Sequence, residues 1–397
     1  MNVVVEKSDG SQETLRAKYV VGCDGSRSVV RSSAKGIIFG GDLSSQGFIL
    51  CDANIDSSKS ETDLNIQQMH VCIGRGMLVS FPLEDGKRRI FASRSTTDLG
   101  KEDRLSLREF ETLLSQFLPG GDKMTISDPS WLNTFHVHHR IADKYRDGRL
   151  LVAGDAAHIH SPAGGQGGNT SMQDAVNLGW KLAAVLREEK PDSFLDSYHD
   201  ERHPIGVRLL SNSDQRLLFV CSQNPIFLFF RNLFVPHLLP LMDKITPQKL
   251  GRFDSQLWLR YRKSSLNVTA PGFSGRIRGG DRVIDAKIRS PDGKTWFQEL
   301  LTAGSHHLVL FSGLRGAARG EELRLAGSRF SKQISMKAKV HIIYGEQAEG
   351  CVDIGGNLHT QFGFAGRAGF VFIRPDCYIG YIGFLSSFDG FLDWLRK

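Results

Sequence analysis

Cysteine is scarce in this chain. Six cysteines (Cys23, Cys51, Cys72, Cys221, Cys351, Cys377) are spread over 397 residues, with no CxxC pair. That spacing excludes a disulfide framework and fits free thiols in a reducing compartment, the cytoplasm. It also leaves a thiol oxidoreductase without its motif. Charge of one sign is lacking too. Lys and Arg number 50 against 43 Asp and Glu, a net charge of +7, and no long run of like charges occurs. Without a basic stripe no nucleic-acid partner is expected, and attraction of an anionic cofactor or a phenolate explains the sign equally well. A long clean hydrophobic run is missing as well. The most apolar stretch, residues 217–242, is broken by Ser222-Gln223-Asn224-Pro225, Arg231-Asn232 and Pro236. It lacks the ~20 apolar residues of an integral membrane span and reads as a packed helical pair, with peripheral membrane contact through residues 226–230 as the alternative. The residues after Met1 form neither a signal nor a transit peptide. GxSxG, P-loop, HExxH and GxGxxG patterns are all absent.

What remains is an ordinary globular composition, 40% hydrophobic and 23% charged, long enough for two or three domains. One segment says the most. An apolar run, Leu150-Leu151-Val152-Ala153, stops at Gly154-Asp155. A glycine-rich loop, Pro162-Ala163-Gly164-Gly165-Gln166-Gly167-Gly168, follows, and a periodic helix is expected from near Thr170. In open α/β sheets such a strand-to-helix switch is where nucleotide cofactors sit. The helix start offers unpaired N–H groups and the positive dipole end to an anionic or electron-rich ligand.

The rest of the chain reads as α/β sequence with a sheet-rich insertion. Residues 2–6 and 14–21 are strand-like, and Asp9-Gly10 between them suits a tight hairpin turn. A second strand end, Gly22-Cys23-Asp24-Gly25, leads into a short helical segment at residues 26–31. Residues 40–138 hold short strands and one amphipathic helix over 106–117, with Leu107, Phe110, Leu114 and Phe117 on one face. Mostly helical sequence runs to about Tyr261, and residues 267–280, rich in Gly, Ser and Pro, read as a linker. Strands at 307–311, 340–344 and 369–373, with helices at 317–325 and 388–397, make a separate small α/β domain.

Several residues could carry chemistry. Asp155, just past a strand end, can accept hydrogen bonds from a ribityl or ribose hydroxyl, or it can simply cap the next turn. Gly164, Gly165, Gly167 and Gly168 allow φ > 0 and close ligand approach. Amides near Asn169 and Ser171 could stabilise negative charge on a bound ring. Asp24, with Arg27 and Arg31, forms a second polar cluster, also readable as a turn with a helical ion pair. His136 and His138 face one way on a strand and His139 the other, without an acidic or Cys partner nearby; no metal site is expected there or at His158 and His160.

Together these residues resemble a known family. Val21-Gly22-Cys23-Asp24-Gly25-Ser26-Arg27-Ser28-Val29-Val30-Arg31 is similar to the DG motif of the class A flavin-dependent aromatic hydroxylases. The Gly154-Asp155 segment is similar to their GD motif with its isoalloxazine loop. Trp258 to Leu266 and Phe372-Ile373-Arg374-Pro375-Asp376 resemble the phenol-hydroxylase-like branch. The resemblance implies an FAD-binding, Rossmann-like domain in two parts (residues 1–39 and 139–266), an inserted β-sheet substrate domain (40–138) and a thioredoxin-like C-terminal domain (267–397), the last often used in homodimer contacts. Asp155 would contact the ribityl or pyrophosphate region, residues 162–168 would line the flavin ring, and Asn169 would sit beneath its pyrimidine edge. Asp24 and Arg31 would serve the cofactor side of the DG motif. The implied reaction uses NAD(P)H and O2 to hydroxylate a phenolic ring, with FAD carrying the oxygen chemistry. No catalytic base is named by the resemblance. Met1 leads directly into the hairpin, so the GxGxxG unit that grips the ADP half is expected to be missing and the sheet core incomplete. A second reading therefore stands beside the first: a truncated, non-catalytic homologue unable to hold FAD, acting in binding or dimerisation.

Overall fold

Hydrophobic alternation and helical periodicity build two compact units. The computed structural model describes residues 1–62, 64, 68–74, 76–95, 106–161, 165–222, 224–245, 255–314, 320–334, 336–345 and 350–396. The first unit comprises Met1–Ser171 and Pro204–Ser255, the second Met172–His203 and Gln256–Lys397.

In the first unit, β1 (Asn2–Glu6) pairs antiparallel with β2 (Gln12–Arg16). Gly10 takes φ +81° at the turn, and the Asp9 carboxylate accepts the Ser11 amide at 2.9 Å. The single strand expected over residues 14–21 is instead split. The chain leaves the hairpin after Arg16 and begins β3 (Val20–Gly22) in a different sheet. Helix α1 (Val29–Ser33) follows. Strands β4 (Phe39–Asp56), β5 (His70–Ile73), β6 (Met77–Pro82), β7 (Arg88–Ser95) and β8 (Thr125–Ala142) form the large sheet, with helix α2 (Leu107–Phe117) between β7 and β8. Then come β9 (Arg146–Asp147), β10 (Leu150–Val152) and β11 (His158–Ile159). The large antiparallel sheet runs β11-β8-β4-β7-β6-β5, and β3-β10-β9 make a small one.

Period-2 alternation explains the large sheet's two faces. Ile49, Cys51 and Ala53 of β4 point to one side, where Phe110 and Leu114 of α2 are fully buried against them. Phe48 points to the other and stacks on Phe91 at 4.7 Å. It clusters there with Leu217 and Cys221 at the end of α4 (Asp196–Cys221). Helix α3 (Gly167–Leu186) precedes α4, and α5 (Pro225–Ile245) follows it. The packed-pair expectation for residues 217–242 holds only in part. Arg231 donates from Nη1 to the Phe219 and Val220 carbonyls at the end of α4, but Ile226, Phe229, Phe230 and Phe234 are exposed. No single helix among the described residues is long and apolar enough to cross a membrane.

The second unit is three-layered. Its seven-stranded mixed sheet contains β12 (Val268–Thr269), β13 (Ile288–Arg289), β14 (His306–Phe311), β15 (Ala338–Tyr344), β16 (Cys351–Asp353), β17 (Gly369–Ile373) and β18 (Ile379–Phe384), in the order β12-β18-β17-β14-β15-β16-β13. Alternation again divides the core. Val309, Phe311, Val371 and Ile373 pack with Leu358 and Phe362 of α7 (Asn357–Phe362) on one face. Leu308, Leu310, Phe370 and Phe372 pack with α6 (Gly320–Gln333) and α8 (Phe388–Arg396) on the other. Each such buried side chain contributes about 1.5–3 kcal/mol.

Two expectations change here. Residues 267–280 are not simply a linker, because Val268 and Thr269 add an edge strand parallel to β18, with Ala270 and Phe273 buried behind it. The helix expected at 317–325 runs from Gly320 to Gln333, while residues 315–319 lie outside the described residues.

Candidate functional site

The two sequence motifs meet on neighbouring strands. β10 pairs with β3 in parallel, Leu150 opposite Val20 and Val152 opposite Gly22. Parallel pairing sends both chains out of the sheet at the same end, so the Gly22-Cys23-Asp24-Gly25 turn and the Ala153-Gly154-Asp155 turn leave side by side. The Ala153 amide donates to the Gly22 carbonyl at 3.0 Å, at the point where they leave.

Arg31 braces the pair. It is 8% exposed; Nη1 donates to the Ala156 carbonyl at 2.8 Å and Nη2 to the Ser26 carbonyl at 2.7 Å. Its guanidinium lies 3.8 Å from the Phe39 ring centre, a cation–π distance. Burial lowers its pKa, Asp24 opposes that and Arg140 adds to it. Asp24 is exposed and uses Oδ2 to accept the Val29 and Val30 amides at 2.7 and 3.2 Å. Partial burial would raise its pKa, but hydrogen bonds from Ser28, Val30 and Val29 outweigh this and hold it lowered. So Asp24 and Arg31 both act first on the protein's own backbone, organising the turn that carries them.

Asp155 is different. It lies in a single 3-10 turn (Gly154–Ala156) and is exposed. Among the described residues its carboxylate has no hydrogen-bond or ion-pair partner. Among the described residues it therefore caps no turn. Gly154 has φ +62°, and a Cβ there would stand 3.0 Å from Cβ and Oγ of Ser171. That close approach sets the strand end against the first turn of α3.

The helix starts earlier than its periodicity suggests. Gly167, Gly168 and Asn169 form the first turn of α3, not a loop before Thr170, because the Thr170 amide and Oγ1 both bond the Gln166 carbonyl and Ser171 Oγ bonds the Gly167 carbonyl. Such a first turn has amides without intrahelical partners. Gly168 and Asn169 are exposed, and nothing lies within 4 Å of a Cβ built on Gly168 or on Gly165, whose φ is +63°. Pro162, Ala163 and Gly164 lie outside the described residues. His160, unweighted as a cofactor neighbour in the sequence, sits 3.3 Å from a Cβ built on Gly167. Its Nδ1–H donates to the Ser161 carbonyl at 2.7 Å, and burial lowers its pKa, leaving a neutral ring at pH 7. Among the described residues no group of three or more His, Cys, Asp or Glu could hold a metal.

A second polar centre, invisible in the sequence, lies inside the second unit. Arg374 donates to both Glu201 oxygens at 2.6 and 2.8 Å and to both Asp376 oxygens at 2.6 and 3.0 Å. Lys181 Nζ reaches Glu201 at 2.8 Å, and Trp180 Nε1 reaches Asp376 at 3.1 Å. Arg202 bonds Asp174 at 2.6 Å and the Tyr261 hydroxyl at 3.0 Å. Burial pulls Lys181 down to about 8 against the pull of Glu201. Burial also opposes ionisation of Glu201, yet Arg374 and Lys181 drive its pKa far down. Arg374, Asp376 and Tyr261 belong to the stretches that resemble the phenol-hydroxylase-like branch.

A parallel strand pair that ends in two acidic glycine turns and feeds a glycine-started helix is the kind of strand-to-helix switch at which nucleotide cofactors sit in α/β sheets. The chain belongs to the FAD binding domain family, which matches residues 2–213, and within it to the class A FAD-dependent aromatic hydroxylases. It is 40% identical to an uncharacterized aromatic compound monooxygenase of Bacillus subtilis over 54% of this chain and 42% of that protein. It is 32% identical to the 12-dehydrotetracycline 5-monooxygenase/anhydrotetracycline 6-monooxygenase of Streptomyces rimosus, over 100% of this chain and 72% of that one. Among solved structures, aklavinone-11 hydroxylase with FAD and aklavinone shares the fold (TM-score 0.74, 22% identity, 100% of this chain and 70% of that chain). The chain thus spans less than half of the Bacillus relative's length. Its residues fit the flavin half of such a cofactor: a carboxylate without a partner among the described residues, two glycine positions with open space and a helix start lie on one stretch of chain.

Proposed function

We propose that this chain serves an FAD-dependent monooxygenase that hydroxylates a phenolic or polycyclic aromatic substrate with NAD(P)H and O2, in the cytoplasm. The observation that carries this reading is the Asp155 carboxylate after the end of β10, without a partner among the described residues, beside the DG turn and ahead of the glycine start of α3. When bound, FAD would take electrons from NAD(P)H and let O2 deliver one oxygen atom to the ring and the other to water.

The chain's own residues bind and orient. Asp155 accepts hydrogen bonds from a ribityl hydroxyl or the pyrophosphate region. Residues 162–168 line the ring, where glycine permits close approach. The first-turn amides of α3, at Gly167, Gly168 and Asn169, favour negative charge at the ring's pyrimidine edge. Arg31 and Asp24 keep the DG turn in register with the Asp155 turn. The six-stranded sheet supplies the substrate side, and the seven-stranded sheet is thioredoxin-like and suited to homodimer contact. The family's relatives named for aromatic substrates support this substrate class.

The test is direct. Purified chain incubated with excess FAD and freed of unbound cofactor should retain yellow flavin absorbance and consume O2 when NAD(P)H and a phenol are added. A colourless chain without NAD(P)H-dependent O2 uptake would sink the proposal.

A further inference from the structure

The second unit contains a cavity of about 630 Å³ that the flavin reading does not use. One wall is a run of aromatic rings in mutual contact. Trp180 meets Phe194 edge-on at 5.5 Å and His306 edge-on at 5.7 Å; His306 stacks on Phe372 at 5.3 Å, and Phe372 meets Trp394 at 6.3 Å. These rings come from α3, the 3-10 turn Asp192–Leu195, β14, β17 and α8, so five separate elements converge on one apolar surface. Burial pulls His306 down to about 4, so it adds a neutral ring at pH 7. Arg374 borders the cavity with its charge already matched by Glu201 and Asp376.

The rim is cationic. Arg187, Lys190, Lys337 and Arg396 line the cavity against a single acid, Glu189. Arg396 is paired with Asp393 at 2.9 Å, while no carboxylate pairs with Arg187, Lys190 or Lys337 among the described residues. Cations at the end of α3 would satisfy its dipole, which accounts for Arg187 and Lys190. Lys337 comes from the turn before β15, so the helix dipole does not explain it. An apolar aromatic wall under a positive rim complements one class of molecule.

We propose that this cavity binds a small planar aromatic carboxylate, with its ring among Trp180, Phe372 and Trp394 and its charge at the Lys190 and Lys337 rim. All of its residues belong to the second unit, whereas Asp155 and the glycine turn belong to the first. The proposal therefore stands whether or not the chain holds flavin.

Binding of 2-naphthoate to the full chain, followed by equilibrium dialysis and by quenching of tryptophan fluorescence, tests it. The expected result is one saturable site that excess FAD does not displace. The pair Lys190→Glu/Lys337→Glu, the first half-buried and the second exposed, should weaken naphthoate about tenfold and leave the neutral 2-naphthamide unchanged, with the thermal midpoint preserved. Should that variant not fold, Lys190→Gln/Lys337→Gln should weaken naphthoate about threefold by the same logic. Absence of saturable binding at millimolar probe, displacement by FAD, or equal naphthoate affinity in the charge variants would overturn the proposal.

Discussion

Charge is treated in opposite ways in the two units. In the first, the Asp155 carboxylate stands exposed at a strand end with no partner among the described residues. In the second, Glu201 and Asp376 are buried and both oxygens of each carboxylate are bonded. A buried carboxylate without partners costs several kcal/mol, so its partners are structural necessities. An exposed one costs nothing to leave free, so it remains available to a ligand. A carboxylate's commitment, more than its presence in a motif, thus separates a binding residue from a framework residue. Asp24 falls between them, exposed yet bonded to the start of α1.

The largest effect should come from breaking the buried network. Arg374→Met leaves Glu201 and Asp376 without their main cation and should destabilise the second unit by about 3–5 kcal/mol, read as a lower thermal or urea midpoint. An unchanged midpoint would show that the network is not what holds that unit together. Acid provides a graded version of the same break. Glu201 titrates well below its ordinary 4.5 in the folded chain. Its stabilisation is therefore complete above that value and is lost as pH falls below it, because the unfolded chain then binds the proton more readily. The thermal midpoint should fall between pH 5 and 3, and less steeply in Arg374→Met.

A smaller effect is expected at the open edge. Gly154→Ala places a Cβ 3.0 Å from Ser171 and at φ +62°, costing about 1–3 kcal/mol. It should also weaken flavin retention by displacing α3 from the strand end. A variant as stable as the parent would mean that the turn relaxes freely.

Much of this fold was legible in local pattern. The hairpin strand at residues 2–6, the strand at 369–373 and the amphipathic helix ending at Phe117 stand where alternation and periodicity put them. Ile379–Phe384 was missed as a strand because Gly380 and Gly383 interrupt its apolar pattern, although it is almost wholly buried beside β17. The early start of α3 was missed because glycine hides a helical turn, and the local bonds from Thr170 and Ser171 to carbonyls four residues back carry no hydrophobic period. The Glu201–Arg374 pair spans 173 residues of sequence, and no local rule brings such partners together. Asp155 was legible as a candidate, but only the structure shows that its carboxylate has no partner among the described residues.

Asp155→Ala isolates what that carboxylate does for FAD. The carboxylate is exposed and, among the described residues, unbonded, so stability should stay within about 0.5 kcal/mol of the parent. If Asp155 bonds the cofactor, the FAD dissociation constant, measured by flavin fluorescence titration, should rise about tenfold or more. Equal FAD affinity in a normally folded Asp155→Ala chain would contradict the account.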